Sequence, residues 1–391
     1  MPALNERRLD VSFSGRTVFG LGAAERVGEL ARGFSVRGAF LVTGLGVLAS
    51  GAVEIVRASL EEAGLAVSVF ASVMPNPATS DVESGSASLL DFGKEDVAVV
   101  AVGGGSSMDA AKGISLHAVN GGSVLDLDYR KTPDQSGLPV LAVPTTSGTG
   151  SETNGFGVIM DHGSGRKFYV GHTSAQPKTA VLDPLLTLGL PPGSTAATGI
   201  DALTHALESL MSRNSNPYAE GLALQVIQMV SKWLPAAVHD GGSVEARSQM
   251  LLAAHLAGLA FSSGTGLGLC HAVAHSLSAR LDVAHGVALA AVLPAVMTFN
   301  LPSSTRELAL TASSMGVYDS GTSEDENARS AVAATEALVW DLMGRRTLAS
   351  LGVDEGLLPT LVQDTIEDGV LLNTPRMPTP EEVENLLVAA P

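Results

Sequence analysis

VAVVAVGGGSSMDAAKG, residues 97–113, joins six apolar residues to three glycines, two serines and an alanine-rich run. An unbroken apolar run is expected of a strand buried on both faces, as in a parallel sheet covered by helices. The glycines let a backbone come close to a bound group. Free amides and the dipole at the start of a following helix favour negative charge there. A serine-capped turn needs fewer glycines, so the stretch reads as strand, phosphate-binding turn and helix.

Outward from it, AFLVT (39–43), LPVLAVP (138–144) and TAVLDP (179–184) are similar apolar runs, and helical patterns such as GAVEIVRASLEEAG (51–64) lie between them. That alternation predicts a parallel α/β sheet. AVPTTSGTGSE (142–152) is a second strand exit rich in glycine and hydroxyls, and two such exits point to one nucleotide crevice. GLGAAE (20–25) and GLGVLASG (44–51) lack the flanks of a dinucleotide fingerprint and read as turns. GSGRK (163–167) and SGTSEDEN (320–327) read as surface loops.

After Pro191-Pro192 the β signal fades. STAATGIDALTHALESLMS, YAEGLALQVIQMVSKWLPAAV and EARSQMLLAAHLAGLAF carry apolar residues at helical spacing. The expected organisation is an α/β domain over residues 1–190 and a helical domain over 191–391, with ligands in the cleft between them.

Bulk properties exclude several classes. With 45% hydrophobic and 16% charged residues, the chain is globular. A net charge of −17 argues against nucleic acid or an anionic membrane as partner, though not against an anionic cofactor. Cys270 is the one cysteine, which excludes an internal disulfide and reads as a core residue. MPALNERRLDVSFSG (1–15) lacks the apolar core of a signal peptide, and the run from Gly286 to Phe299 is short for a bilayer span and contains Pro294. A soluble cytoplasmic protein is expected.

Histidines cluster in the second half. Asp201 and His205 stand at i and i+4 and share a helix face, as do His271 and His275; His285 follows at a turn or helix start. One carboxylate and three imidazoles suit Fe²⁺ or Zn²⁺. A single histidine on an apolar helix is more often a hydrogen-bonded core residue, and His117, His162, His172, His239 and His255 are read so.

Together GGGSSMDAAKG (103–113), PTTSGTGSE (144–152), GIDALTHALE (199–208) and CHAVAHSLSARLDVAHGVALAAVLP (270–294) resemble the iron-containing (group III) alcohol dehydrogenases. The likeness runs from VFGLGAAERVGELA (18–31) through PNPATSDVESG (75–85) and TAVLDPLLTLGLPP (179–192) to LLNTPRMPTPEEVENLL (371–387). It implies a dehydroquinate-synthase-like fold, with an N-terminal Rossmann-like domain binding NAD(P) and a C-terminal helical domain binding metal. The implied metal ligands are Asp201, His205, His271 and His285. His275 matches a non-ligand histidine near substrate and nicotinamide, where an imidazole could relay the alcohol proton. Cofactor positions implied are Asn76, Gly103, Gly104, Gly105, Ser106, Asp109, Thr145, Thr146, Thr149 and Lys167. The resemblance also implies a homo-oligomer, with a dimer expected.

Two departures matter. Many relatives end the first strand with an aspartate that holds the adenosine ribose, and Gly44 stands here instead. Losing that carboxylate removes repulsion against a 2′-phosphate, so NADP(H) is favoured over NAD(H). Ser263 and ETNGF (152–156) also differ from common relatives, and their small polar character suggests a small aldehyde that can be anionic, bearing a carboxylate or phosphonate. The expected reaction is hydride transfer between NAD(P)H and that aldehyde to give a primary alcohol. A metal-free maleylacetate-reductase-like enzyme is opposed by the complete Asp/His/His/His set. A dehydroquinate-synthase-type cyclase is opposed by Asp201 in place of a glutamate. A non-catalytic nucleotide-binding protein is opposed by the intactness of both sites.

Overall fold

The apolar run at 97–102 is the centre of a parallel sheet in the computed structural model, which describes residue 9, residues 11–13 and residues 15–390. The leader-free reading of residues 1–15 falls mostly outside them. Eight strands occur among the described residues: β1 Arg16–Phe19, β2 Gly38–Val42, β3 Ala66–Phe70, β4 Val97–Gly103, β5 Val140–Pro144, β6 Phe156–Asp161, β7 Arg166–Gly171 and β8 Thr179–Leu182. Six form one parallel sheet in the order β1-β8-β5-β4-β2-β3, and β6 and β7 form an antiparallel hairpin.

Side-chain alternation explains why the inner strands are apolar throughout. Phe40, Val42, Val99, Ala101, Val140 and Ala142 pack on one face, while Ala39, Leu41, Val100, Val102, Leu141 and Val143 pack on the other. Helices α1 Val27–Arg32, α2 Leu45–Ala49, α3 Ala52–Glu62, α4 Thr79–Phe92 and α5 Gly105–Asn120 accompany the strands. Chain order reverses between β2 and β4, so the turns after Val42 and Gly103 leave the sheet where such folds bind nucleotides.

The two GLG turns contain more helix than expected. Ala23–Arg26 is a 3₁₀ turn and Leu45–Ala49 a short helix. The loop readings are likewise corrected at their ends. Arg166 and Lys167 lie in β7, and Glu324 already opens a helix that Ser323 caps.

The chain divides into two compact units. One is Ser14–Leu190 with Gly242–His255, and the other is Pro191–Gly241 with the chain from Leu256 onward. Although it lies late in the sequence, the segment Gly242–His255 packs Leu251 against Ala180 and Leu182 of β8. The second unit is helical. It is built from α6 Pro192–Met211, α7 Pro217–His239, the end of α8 Val244–Ala260, α9 Leu269–Leu281, α10 His285–Asn300, α11 Thr305–Met315, α12 Glu324–Met343, α13 Leu358–Glu367 and α14 Pro380–Ala389. His285–Ser303, longer than the apolar run seen in sequence, has the length and composition of a membrane span. Most of it is buried inside the protein, with α6, α9 and α12 against α10. That burial is what a core helix requires.

Inside the α/β unit, Lys112 is fully buried, and its ammonium donates to Ser151 Oγ at 2.6 Å, Asn154 Oδ1 at 3.0 Å and the Phe156 carbonyl at 2.7 Å. Burial lowers its pKa to about 8 against the pull of Asp109 and Glu152. Ser151 Oγ in turn donates to Asp109 Oδ1 at 2.6 Å, and the Val158 amide donates to Asp109 Oδ2 at 2.9 Å. The network ties α5 to the segment 151–158. Removing one partner of a buried ion pair costs about 3–5 kcal/mol. Lys112→Ala is therefore expected to lower stability by that order in denaturant titration. A change under about 1 kcal/mol would show that the network is dispensable.

Candidate functional site

Helix α6 is buried along nearly its whole length, and its polar residues Asp201, His205 and Glu208 stand at i, i+4 and i+7 on one face. Helix α9 brings His271 and His275. It ends at Asp282 in the left-handed conformation (φ 51), and the chain re-enters helix with His285 as the first residue of α10. Gly286 makes this approach possible. A Cβ there would lie 2.2 Å from the Ala197 carbonyl oxygen, so a larger residue would push α10 off α6.

These elements converge on one oxygen. Asp201 Oδ1 lies 3.4 Å from His205 Nε2, 3.5 Å from His271 Nε2 and 3.9 Å from His285 Nε2. Donor atoms of Asp201, His271 and His285 all fall within 4.8 Å of one another. The His205 and His271 rings stack with centroids 4.6 Å apart, and Phe261 backs His205 at 4.8 Å.

A divalent ion suits this arrangement on two grounds. Asp201 Oδ1 and His271 Nε2 are buried without a hydrogen-bond partner among the described residues, a costly state unless a cation compensates it. Bonds of about 2.0–2.2 Å at tetrahedral angles place ligand atoms roughly 3.3–3.6 Å apart, close to the spacings seen. Asp201, His205 and His271 are buried, whereas the His285 side chain is 26% exposed.

Electrostatics follow from burial and neighbours. Burial alone would raise the Asp201 carboxyl, but His205, His271 and His285 hold it well below the usual carboxylate range. Glu208 is likewise held low, its burial outweighed by His271 and by the Gly268 and Cys270 amides. Burial pushes His271 down, yet Glu208 and Asp201 outweigh it and raise its pKa to about 9.

His275 sits beside this cluster, its ring stacked on His285 at 5.4 Å. Its Nδ1–H donates to Asp368 Oδ2 at 2.8 Å, and Asp368 Oδ1 caps the turn Gly369–Asn373 by accepting from the Val370 amide. The Asp368 carboxylate thereby holds the proton on Nδ1. Phe261–Thr265 forms a π-turn with Gly264 at φ 99, an irregularity found often near functional sites.

In the α/β unit the predicted cofactor residues also come together. Gly103 and Pro144 are register partners in β4 and β5, and the Thr145 amide donates to the Gly103 carbonyl at 3.0 Å. A Cβ on Gly104 would meet Thr146 at 3.1 Å and one on Gly105 would meet Thr149 at 2.7 Å, so the two loops pack at glycine distance. Helix α5 starts after Gly104 without a side-chain cap, leaving Gly105 and Ser106 in its first turn. Asn76, at φ 53, accepts from Lys167 Nζ at 3.0 Å. Asp109 stands apart in character, because both its oxygens are engaged by Ser151 and Val158.

The small polar residues read as substrate lining are occupied internally. Ser263 Oγ donates to the Ala260 carbonyl, Asn154 Oδ1 accepts from Lys112 and the Phe156 amide, and Glu152 accepts from His255 Nδ1 at 3.0 Å. His255 is accordingly a satisfied core histidine, as read. Glu208 and Asp368 were not singled out in sequence. Glu208 had a visible signal, a carboxylate three residues after His205 on a helix whose one other carboxylate is Asp201.

Comparison with known proteins shows the family. The model of the iron-containing alcohol dehydrogenases matches residues 14–184, and that of the C-terminal part of the Fe-containing alcohol dehydrogenase family matches 195–391. The chain is 34% identical to an NAD-dependent methanol dehydrogenase of Bacillus methanolicus, over 95% of this chain and 97% of that protein. It superposes on a crystal structure of 1,3-propanediol oxidoreductase with TM-score 0.94 and 35% identity, covering 98% of this chain and 100% of that one. It superposes on sulfoacetaldehyde reductase from Bifidobacterium kashiwanohense, solved with NAD⁺, with TM-score 0.87 and 28% identity, covering 98% and 99%.

Two outcomes test the geometry. Gly286→Ala is expected to cost about 1–3 kcal/mol of stability by overpacking and to weaken metal retention, read by denaturant titration and metal analysis. Linkage gives the second. His271 has a raised folded pKa, so its contribution is complete below about 6.5 and is lost as pH rises through about 9. Chelator-treated protein should therefore melt at progressively lower temperature across that window, and metal-loaded protein should not. Parallel curves would refute the pairing.

Proposed function

The chain belongs to the iron-containing alcohol dehydrogenase family and is an alcohol-oxidising or aldehyde-reducing enzyme that uses a metal and a nicotinamide dinucleotide; on that premise we propose which residues do the work and on what. Asp201, His205, His271 and His285 hold Fe²⁺, or Zn²⁺, and the observation that carries this is the buried, unpartnered Asp201 Oδ1 ringed by three imidazoles. The metal supplies Lewis acidity toward the substrate oxygen and the dinucleotide supplies the hydride.

The rest falls to the chain. Gly103, Gly104, Gly105 and Ser106 bind the pyrophosphate through backbone amides at the start of α5. Thr145, Thr146 and Thr149 line the adjoining loop, and Asn76 with Lys167 takes the ribose. Asp109 acts beneath them as a brace rather than a direct contact, since its oxygens are engaged. His275 Nε2 gives a proton to the substrate oxygen in reduction and accepts it in oxidation, with Nδ1 held by Asp368.

The substrate is a small aldehyde reduced to a primary alcohol. An anionic aldehyde is included because of the likeness to sulfoacetaldehyde reductase, not because of Ser263 or residues 152–156, whose polar groups are internally bonded. Gly44 offers no carboxylate to a ribose, so NADP(H) is tolerated and favoured over NAD(H). A soluble cytoplasmic homodimer completes the reading.

The test is NADH and NADPH oxidation against neutral and anionic small aldehydes, before and after loading with Fe²⁺ or Zn²⁺. Turnover should require metal and vanish in His271→Ala and His285→Ala. His275→Ala should retain metal but lose about 100-fold or more in kcat. Gly44→Asp should shift the kcat/KM ratio roughly tenfold or more toward NADH, the effect of about 1.4 kcal/mol. Turnover indifferent to metal would instead favour the metal-free reductase mechanism.

A further inference from the structure

Glu208 lies one turn beyond His205 on α6 and is only 5% exposed. Its Oε2 accepts from His271 Nδ1 at 2.6 Å and from the Gly268 amide at 2.8 Å, while Oε1 accepts from the Cys270 amide at 2.6 Å. Two backbone amides at the start of α9 already account for a structural anion there. The third bond, short and to an imidazole, is of the charge-assisted kind and is not needed to cap a helix.

We propose that Glu208 is a positioning residue of the metal centre, fixing His271 as the Nδ1–H tautomer so that the Nε2 lone pair faces Asp201. The inference rests on the reading of Asp201, His205, His271 and His285 as metal ligands. The opposite tautomer would set a bare Nδ1 lone pair against a carboxylate oxygen at 2.6 Å and would turn Nε2–H toward the ion. Glu208 excludes that state by repulsion. It also ties the ring to the backbone that carries it, because the same carboxylate holds Gly268 and Cys270 on either side of Leu269. Gly268 leaves room for this, since a Cβ there would lie 3.2 Å from Glu208 Oε1. Partners of ligating histidines typically contribute 10–100-fold in metal affinity.

The experiment measures Zn²⁺ affinity by competition with a chromogenic chelator for the parent, Glu208→Gln and Glu208→Asp, alongside melting of the metal-free proteins and NADH-binding fluorescence. Glu208→Gln is expected to bind Zn²⁺ about 10–100-fold more weakly with NADH binding kept, because an amide N–H facing Nδ1 favours the wrong tautomer. Should Glu208→Gln fail to fold, Glu208→Asp is the deciding variant. It keeps the charge but withdraws it from Nδ1, and a loss of roughly tenfold is expected. In whichever variant folds, Zn²⁺ affinity within about twofold of the parent overturns the proposal, even if melting temperature falls, since that is what a purely structural carboxylate would do. Asp201→Ala separates the two levels. If it binds Zn²⁺ as the parent does, the ligand assignment fails, whereas if it loses Zn²⁺ and Glu208→Gln does not, only the role of Glu208 fails.

Discussion

A carboxylate oxygen buried without a hydrogen bond is the constraint on which the helical unit turns. Asp201 is 2% exposed, and among the described residues its Oδ1 has no hydrogen-bond partner, with imidazole nitrogens of His205, His271 and His285 at 3.4, 3.5 and 3.9 Å. Burying such a group costs several kcal/mol unless a cation answers it. The local architecture is therefore legible as a device for holding that deficit open. Helix α6 is buried along nearly its whole length, Gly286 brings α10 against Ala197, and Asp282 adopts a left-handed conformation so that α9 can end and α10 begin within three residues. Each feature would be unfavourable alone. Together they bring donor atoms of Asp201, His271 and His285 within 4.8 Å of one another, with His205 Nε2 3.4 Å from Asp201 Oδ1.

On the proposed reading the α/β unit solves a different problem, binding an anionic cofactor with a chain of net charge −17. Here the compensating groups are backbone amides rather than cationic side chains. Glycine at 104 and 105 allows the exits of β4 and β5 to pack closely, since a Cβ there would meet Thr146 and Thr149, while a Cβ at 103 would meet Ser107 of the helix that follows. The buried cation Lys112 is spent beneath the loops, on Ser151, Asn154 and Phe156, where it fixes their spacing.

What could be read from sequence follows from these physical differences. The inner strands were legible because both faces are buried, which leaves no polar residue to interrupt the run. β1 (RTVF) and β3 (AVSVF) lie at the two sheet edges and are largely exposed or half-buried, so their patterns are short and mixed. The pairs Asp201/His205 and His271/His275 were visible because helical spacing converts directly into a shared face, whereas His285 opens a separate helix and only folding brings it to Asp201. Asp368 was not, being 93 residues from His275 and brought to it only by folding. Ser263 and Asn154 show the reverse failure, since composition cannot distinguish a polar group facing a ligand from one spent on an internal bond.

That last distinction bears on specificity. On the proposed reading, the metal and His275 act on the one feature all alcohols and aldehydes share, the oxygen and its proton. Interactions there cannot discriminate between substrates. With Ser263, Asn154 and Glu152 satisfied inside the protein, the polar side chains first expected to read the substrate tail are removed from that task. What apolar contact adds is worth only about 1–3 kcal/mol per methylene group and rejects poorly. On that reading the centre is compatible with breadth toward small aldehydes, because these buried polar groups are used on one another rather than on the substrate.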